Sequence, residues 1–239
     1  VQRSFLLPAA VYMFIAALFA LTGSMPLLHA EESSESSVSL QEDAVVEQKY
    51  PETIAVLQLL YGNEVRADHR YKLYSDTAKA DGHTNIAYLF KAIAASEQVH
   101  AGNFRRILKS LGAEVPEIDL SAIKSSTTQE NLKYATDVEL SEIDKEYPRY
   151  IKRTATENHP EANEYINYAW EAERQHRELI KEIKSGTGFF FSTLLDRFRE
   201  NKSVYYVNQN CGATVMELPA EDCPICHKPL DTYIKVPKP

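Results

Sequence analysis

Two four-residue segments of this chain have the composition of metal ligands. "EQVH" places Glu97 three residues before His100, and "ERQH" places Glu173 three residues before His176. Residues three apart on a helix point the same way, so each pair can hold one ion. Each pair follows a lone glutamate at nearly the same distance, Glu64 lying 33 residues before Glu97 and Glu139 lying 34 before Glu173. With Glu142, five glutamates and two histidines occupy helical stripes where Leu or Ile is expected. Unpaired carboxylates are strongly unfavourable in such positions, and five converging ones require cations. A single Glu-x-x-His is ordinarily a solvated helix face. Two of them with matched glutamates on apolar stripes point to two metals side by side, bridged by carboxylates. Oxygen-rich ligands with two histidines suit iron or manganese better than zinc or copper. His29, His69, His83 and His159 fall in no such pattern and read as surface residues.

Long amphipathic helices must carry these residues. Pro51 suits a first helical turn and Asp81-Gly82 its end. A second helix is expected over about Thr84–Leu111, stopped by Gly112, with Phe90, Ile93, Glu97, His100, Phe104 and Leu108 on its inner stripe. The third is expected over about Thr128–Thr156, where Pro148 should bend it or free a carbonyl. Pro160 opens the fourth, which ends near Ser185-Gly186. Tight turns join the first helix to the second and the third to the fourth, so each pair is an antiparallel hairpin. The middle connection, about 16 residues, reaches about 50 Å when extended, and a helix of about 30 residues is about 45 Å long. The connection can therefore run the length of a four-helix bundle, giving one long crossover.

The 239 residues carry a net charge of −8 and are 44% hydrophobic. Such a chain can bury a sizeable core and lacks the clustered basic charge of a nucleic-acid binder. Residues 1–30 read as an export signal or an uncleaved membrane anchor: Arg3, an apolar run from Phe5 to about Leu21, then "LLHA". Either places the rest of the chain outside the cytoplasm, in a bacterial periplasm or facing out from its membrane. Residues 31–50 are acidic and Ser-rich, a linker composition. The expected domains are then the bundle over 51–186, a linker or short helix over 187–202, and a small β-prone, turn-rich domain over 203–239.

That last domain is too small to fold easily without a metal or a staple. It holds all three cysteines, Cys211, Cys223 and Cys226, and Asn208 stands three residues before Cys211. The pattern is a four-cysteine site with one ligand replaced. Three states are open: iron with the Asn208 oxygen or water as fourth ligand, zinc on three thiolates and a harder ligand, or no metal with Cys223 and Cys226 oxidised together.

The chain resembles the rubrerythrin family over roughly Thr53–Val236. "GNEVRADHRY" resembles the family's first-helix motif, and "ENLKYATDVELSEIDKEYP" its third-helix segment with two ligand glutamates, here Glu139 and Glu142. The resemblance implies a mainly α fold: a ferritin-like four-helix bundle with one long crossover, followed by a rubredoxin-like β-rich metal-knuckle domain. It implies two irons (manganese as the substitute) on Glu64, Glu97, His100, Glu139, Glu142, Glu173 and His176. It also implies a third metal, iron or zinc, at the tail cysteines. Tyr71 and Tyr147 are implied to hydrogen-bond ligand glutamates or donate to bound peroxide, and Glu142 to change its ligation. His227 stands where the family usually has Gly, and is a candidate substitute ligand. The implied activity is a peroxidase reducing hydrogen peroxide with electrons from an unidentified donor, in a homodimer. The alternatives are a ferroxidase or iron-handling protein, and a metal-binding protein with an impaired relay.

Overall fold

The computed structural model describes residues 49–185 and 204–239, with the backbone alone at 139–140 and 181–185. The segments expected to be export signal or anchor, most of the acidic linker, and residues 187–202 lie outside the described residues. No helix among the described residues is long and apolar enough to cross a membrane.

Helix α1 spans Pro51–Ala80, α2 Thr84–Ser110, α3 Thr128–Ser141, α4 Tyr147–Thr154 and α5 Pro160–Ser185. Gly82, at φ 82°, turns α1 into α2 in a left-handed conformation that a side chain would strain. The crossover leaves at Gly112 and ends where Thr128 donates its hydroxyl to Asp81 Oδ2 at 2.6 Å, at the α1–α2 turn. At the other end, Glu157 from the α4–α5 turn accepts the Glu52 and Thr53 amides at 2.9 and 2.8 Å. These amides are among the donors a helix start leaves unsatisfied. The two ties show that the crossover runs the length of the bundle, which is the ferritin-like arrangement.

The third helix differs from a simple bend. Residues Glu142–Glu146 form a π-helical turn between α3 and α4, immediately before Pro148. Proline supplies no amide and its ring crowds the carbonyl four residues back, so the helix widens there. The Ile143 carbonyl is taken by the Trp170 indole N–H at 3.1 Å.

Two apolar clusters fill the bundle. Ile54, Leu57, Leu60, Phe104, Leu108, Tyr150 and Ile166 belong to one. Tyr71, Tyr74, Phe90, Ile93, Leu132 and Ile180 belong to the other. Along α1, α2 and α5 the chemistry-bearing residues fall between the two.

The tail forms a three-stranded antiparallel sheet of β1 (Tyr206–Asn208), β2 (Thr214–Val215) and β3 (Tyr233–Lys235), in the order β2-β1-β3. Val207 is registered with Thr214 on one side and Ile234 on the other. With its cysteine cluster this is a rubredoxin-like domain. It packs on α2, where the Tyr88 hydroxyl donates to the Val236 carbonyl at 2.6 Å and accepts the Tyr205 amide at 3.3 Å. Tyr205 meets the Tyr88 ring edge-on at 5.0 Å. Tyr88→Phe should therefore loosen the tail by about 1 kcal/mol, measured as faster amide exchange across 204–236 with the bundle core unchanged.

Candidate metal centre

The four-residue group Glu64, Glu97, His100 and Glu173 is buried, with its ligand atoms within 4.8 Å of one another. Helix geometry puts each histidine one turn past its glutamate, and packing of α2 against α5 brings the pairs face to face. Glu97 Oε2 is 3.1 Å from His100 Nδ1, and Glu97 Oε1 is 3.5 Å from His176 Nδ1. Glu173 mirrors this, Oε1 being 3.4 Å from His100 Nδ1 and Oε2 3.1 Å from His176 Nδ1. Each carboxylate thus presents one oxygen to each histidine, the arrangement of a bridging ligand. Glu64 stands at the His100 end, Oε2 being 4.0 Å from Nδ1. Tyr147 donates its hydroxyl to Glu64 Oε1 at 2.6 Å.

The far nitrogens of both rings point to the tail. His100 Nε2 is 3.2 Å from the Cys211 carbonyl, which can only accept, so the proton is on Nε2. His176 Nε2 is 3.3 Å from the Thr214 hydroxyl. Nδ1 of His100 faces carboxylate oxygens of Glu97, Glu173 and Glu64. Each Nδ1–carboxylate contact requires a positive charge between its atoms, a proton or a metal ion in its place. The donor set therefore fits a pair of hard divalent ions, and the second-nitrogen bonds are the usual support of a metal-bound histidine.

Electrostatics without a cation agree. Burial, then the charge of Glu173, raises Glu64 to about 8, and the same two causes raise Glu142 to about 8. Burial would also raise Glu173, but His176 and His100 hold it well below the ordinary carboxylate range. Burial, then Glu64 and Glu173, pushes Tyr147 well above the usual phenol value, so it remains a donor.

The other expected residues are placed as follows. Glu142 opens the π-turn, half-buried, and is not in the four-residue group. The Glu139 side chain lies outside the described residues. Tyr71 is buried two helical turns after Glu64 on α1, stacked on Phe90 at 5.9 Å. The residues that sequence alone missed are those touching the histidines from the tail. Ser96 donates to the Gly212 carbonyl at 2.6 Å, and Gly212, at φ 80°, would put a β-carbon 2.2 Å from His100 Nε2. Backbone carbonyls carry no sequence signature; the glycine after Cys211 was the only visible sign.

In the tail, Cys211, Cys223 and Cys226 form a second buried group. All three are free thiols, so no Cys223–Cys226 disulfide is present. Cys211 Sγ lies 3.7 Å from Cys223 Sγ, and Tyr233 donates its hydroxyl to Cys223 at 3.1 Å. Cys223 is pushed down to about 5, chiefly by the Cys211 hydrogen bond. His227 is not in the group; it is exposed and fills the left-handed turn position at φ 54°.

The family model described as Rubrerythrin matches residues 56–184. The chain belongs to the rubrerythrin family. It is 31% identical to rubrerythrin-2 of Clostridium acetobutylicum over 185 residues, covering 76% of this chain and 95% of that protein. It is 30% identical over 192 residues to a putative rubrerythrin of Methanocaldococcus jannaschii, covering 74% and 89%. Fully reduced, all-ferrous nigerythrin superposes with a TM-score of 0.64 at 25% identity, over 77% of this chain and 86% of that one. Rubrerythrin membership carries a di-iron centre and an oxidoreductase function of the peroxidase type.

Two outcomes follow for this rubrerythrin. Gly212→Ala should strain the left-handed turn by about 1 kcal/mol and push His100 aside. Iron affinity of the bundle should fall about 10- to 100-fold, read by chelator competition. Second, a carboxyl raised from its ordinary value to about 8 holds a proton in the metal-free fold that the unfolded chain has lost. Stability of the metal-free protein should therefore fall as pH rises from about 5 to about 9. Metal replaces those protons, so the loaded protein should show a flatter dependence in denaturant titrations.

Proposed function

We propose that this chain is an exported rubrerythrin-type peroxidase that reduces hydrogen peroxide to water, working as a homodimer with electrons from a separate donor. The observation that carries the reading is the buried pair of histidine Nδ1 atoms, each facing one oxygen of Glu97 and one of Glu173. Glu64, Glu97, His100 and Glu173 would hold one iron, and Glu173, His176 and Glu97, with Glu139, the other. Glu142 lies close enough to raise Glu64 by its charge and would serve as a further ligand. A bound iron pair supplies two electrons and Lewis acidity for breaking the O–O bond. The overall change takes up two electrons and two protons and releases two waters.

The protein's own groups manage protons and access. Tyr147 holds a proton 2.6 Å from Glu64 Oε1, against the layer where peroxide would bind. Tyr71 is the second buried phenol beside that layer. The apolar clusters on both sides limit bulk water. The export signal and the periplasmic location rest on the sequence of residues 1–30.

The test is rapid mixing of the reduced, iron-loaded protein with hydrogen peroxide or oxygen. Oxidation by peroxide is expected to be much faster, and Tyr147→Phe should slow it about 10-fold or more if the phenol donates a proton. Faster oxidation by oxygen, with iron mineral accumulating, would overturn the reading in favour of a ferroxidase.

A further inference from the structure

We infer that the three tail cysteines form a three-coordinate, all-thiolate site for a soft, thiophilic cation of the Cu(I) class. Asn208 closes the vertex where a rubredoxin-type iron takes its fourth thiolate.

Asn208 ends β1 and is fully buried. Its neighbours fix which way the carboxamide points. Thr232 gives its own proton to the Pro229 carbonyl at 2.6 Å, so its oxygen can only accept. The group 2.7 Å away on Asn208 is therefore the nitrogen, Nδ2. The oxygen, Oδ1, faces the cysteine turn and accepts the Asn210 amide at 2.9 Å and the Cys211 amide at 3.3 Å. A carboxamide oxygen has two lone pairs, and both are engaged. A thiolate in this place has a further pair, and can close the same turn while binding metal. Asn208 thus reproduces the turn-closing half of a knuckle cysteine without the ligating half. The turn is otherwise intact, with the Gly212 amide on the Asn208 carbonyl and the Asn208 amide on the Ala213 carbonyl, both at 2.9 Å.

Water does not replace the missing ligand. The carboxamide itself occupies that side, and the Cys226 thiol donates to Oδ1 at 3.7 Å. Asn208 and the three cysteines are all at most 4% exposed. Tyr233 spends its proton on Cys223, and His227 faces solvent. Among the described residues the donor set is three sulfurs.

Three sulfurs do not fit the four-coordinate preference of iron in this kind of site, nor that of structural zinc. Thiolates suit Cu(I), zinc and iron–sulfur centres alike, and of these Cu(I) is the ion content with three soft ligands. Metal–sulfur bonds of about 2.3 Å hold sulfurs about 4 Å apart in a planar three-coordinate site and about 3.8 Å apart in a tetrahedral one, so the spacing shows convergence on one ion and the closed fourth vertex sets the coordination number. The cysteine sulfurs all lie within 4.8 Å of one another, with Cys211 and Cys223 at 3.7 Å.

The test uses the full chain, iron-loaded in the bundle and reduced under anaerobic conditions. Cu(I) is offered against a coloured Cu(I) chelator, and Co(II) is offered separately as a spectroscopic stand-in for iron. The wild type should bind one Cu(I) that Cys226→Ser loses while bundle iron is retained, and should show no four-coordinate thiolate spectrum with Co(II). Asn208→Cys should reverse the preference, gaining an intense four-thiolate Co(II) spectrum and a further iron. A tetrahedral Co(II) or iron site in the wild-type tail would overturn the inference, as would Cu(I) binding no greater than in Cys226→Ser. Should Asn208→Cys fail to fold, the wild type against Cys226→Ser decides alone.

Discussion

The interaction on which this structure depends is the sharing of two buried carboxylates between two imidazoles, a contact that needs a positive charge at its centre. His100 Nδ1 and His176 Nδ1 each look at oxygens of both Glu97 and Glu173 in a layer where all four side chains are buried. Sites of this kind are stable in proportion to what they bind, because the cost of gathering the ligands falls on the fold alone when the ion is missing. The apolar clusters on either side of the layer hold the helices together, and the layer between them holds the function. The two Asp81 and Glu157 ties fix the register of the helix ends, and the ligands of α1, α2 and α5 meet at one height.

Much of this was legible because helical periodicity is a strong constraint. Glu97 and His100, or Glu173 and His176, cannot be three apart on an apolar stripe without facing inward together. The crossover followed from arithmetic on loop length and helix length. The π-turn at Glu142–Glu146 was not legible: Pro148 announced a disturbance, but whether a helix bends or widens depends on neighbours such as Trp170, which takes the freed Ile143 carbonyl. The contacts of the tail with the histidines were also hidden. They run through the Cys211 carbonyl and the Thr214 hydroxyl, with Ser96 holding the Gly212 carbonyl beside them, and which surface a small domain packs against is not written in local pattern.

The tail is a case of one residue type separating two roles that cysteine combines. A knuckle cysteine both closes a turn and ligates an ion. Asn208 retains the hydrogen bonds and leaves the ligation, so the fold of the tail survives a change in its inorganic chemistry. The same turn touches the bundle through the Cys211 carbonyl, so one peptide unit belongs to the walls of both sites.

That contact also has a consequence in time. A chain is made from its N-terminus and its domains form in that order. Every ligand of the bundle, up to His176, precedes Cys211 and Thr214, which cover the outer edges of the two imidazoles. The bundle can gather its ligands while those edges are still bare. Of these segments, the one that shuts them is the last to be synthesised, so closure of the histidine edges is the final step in the order of the chain.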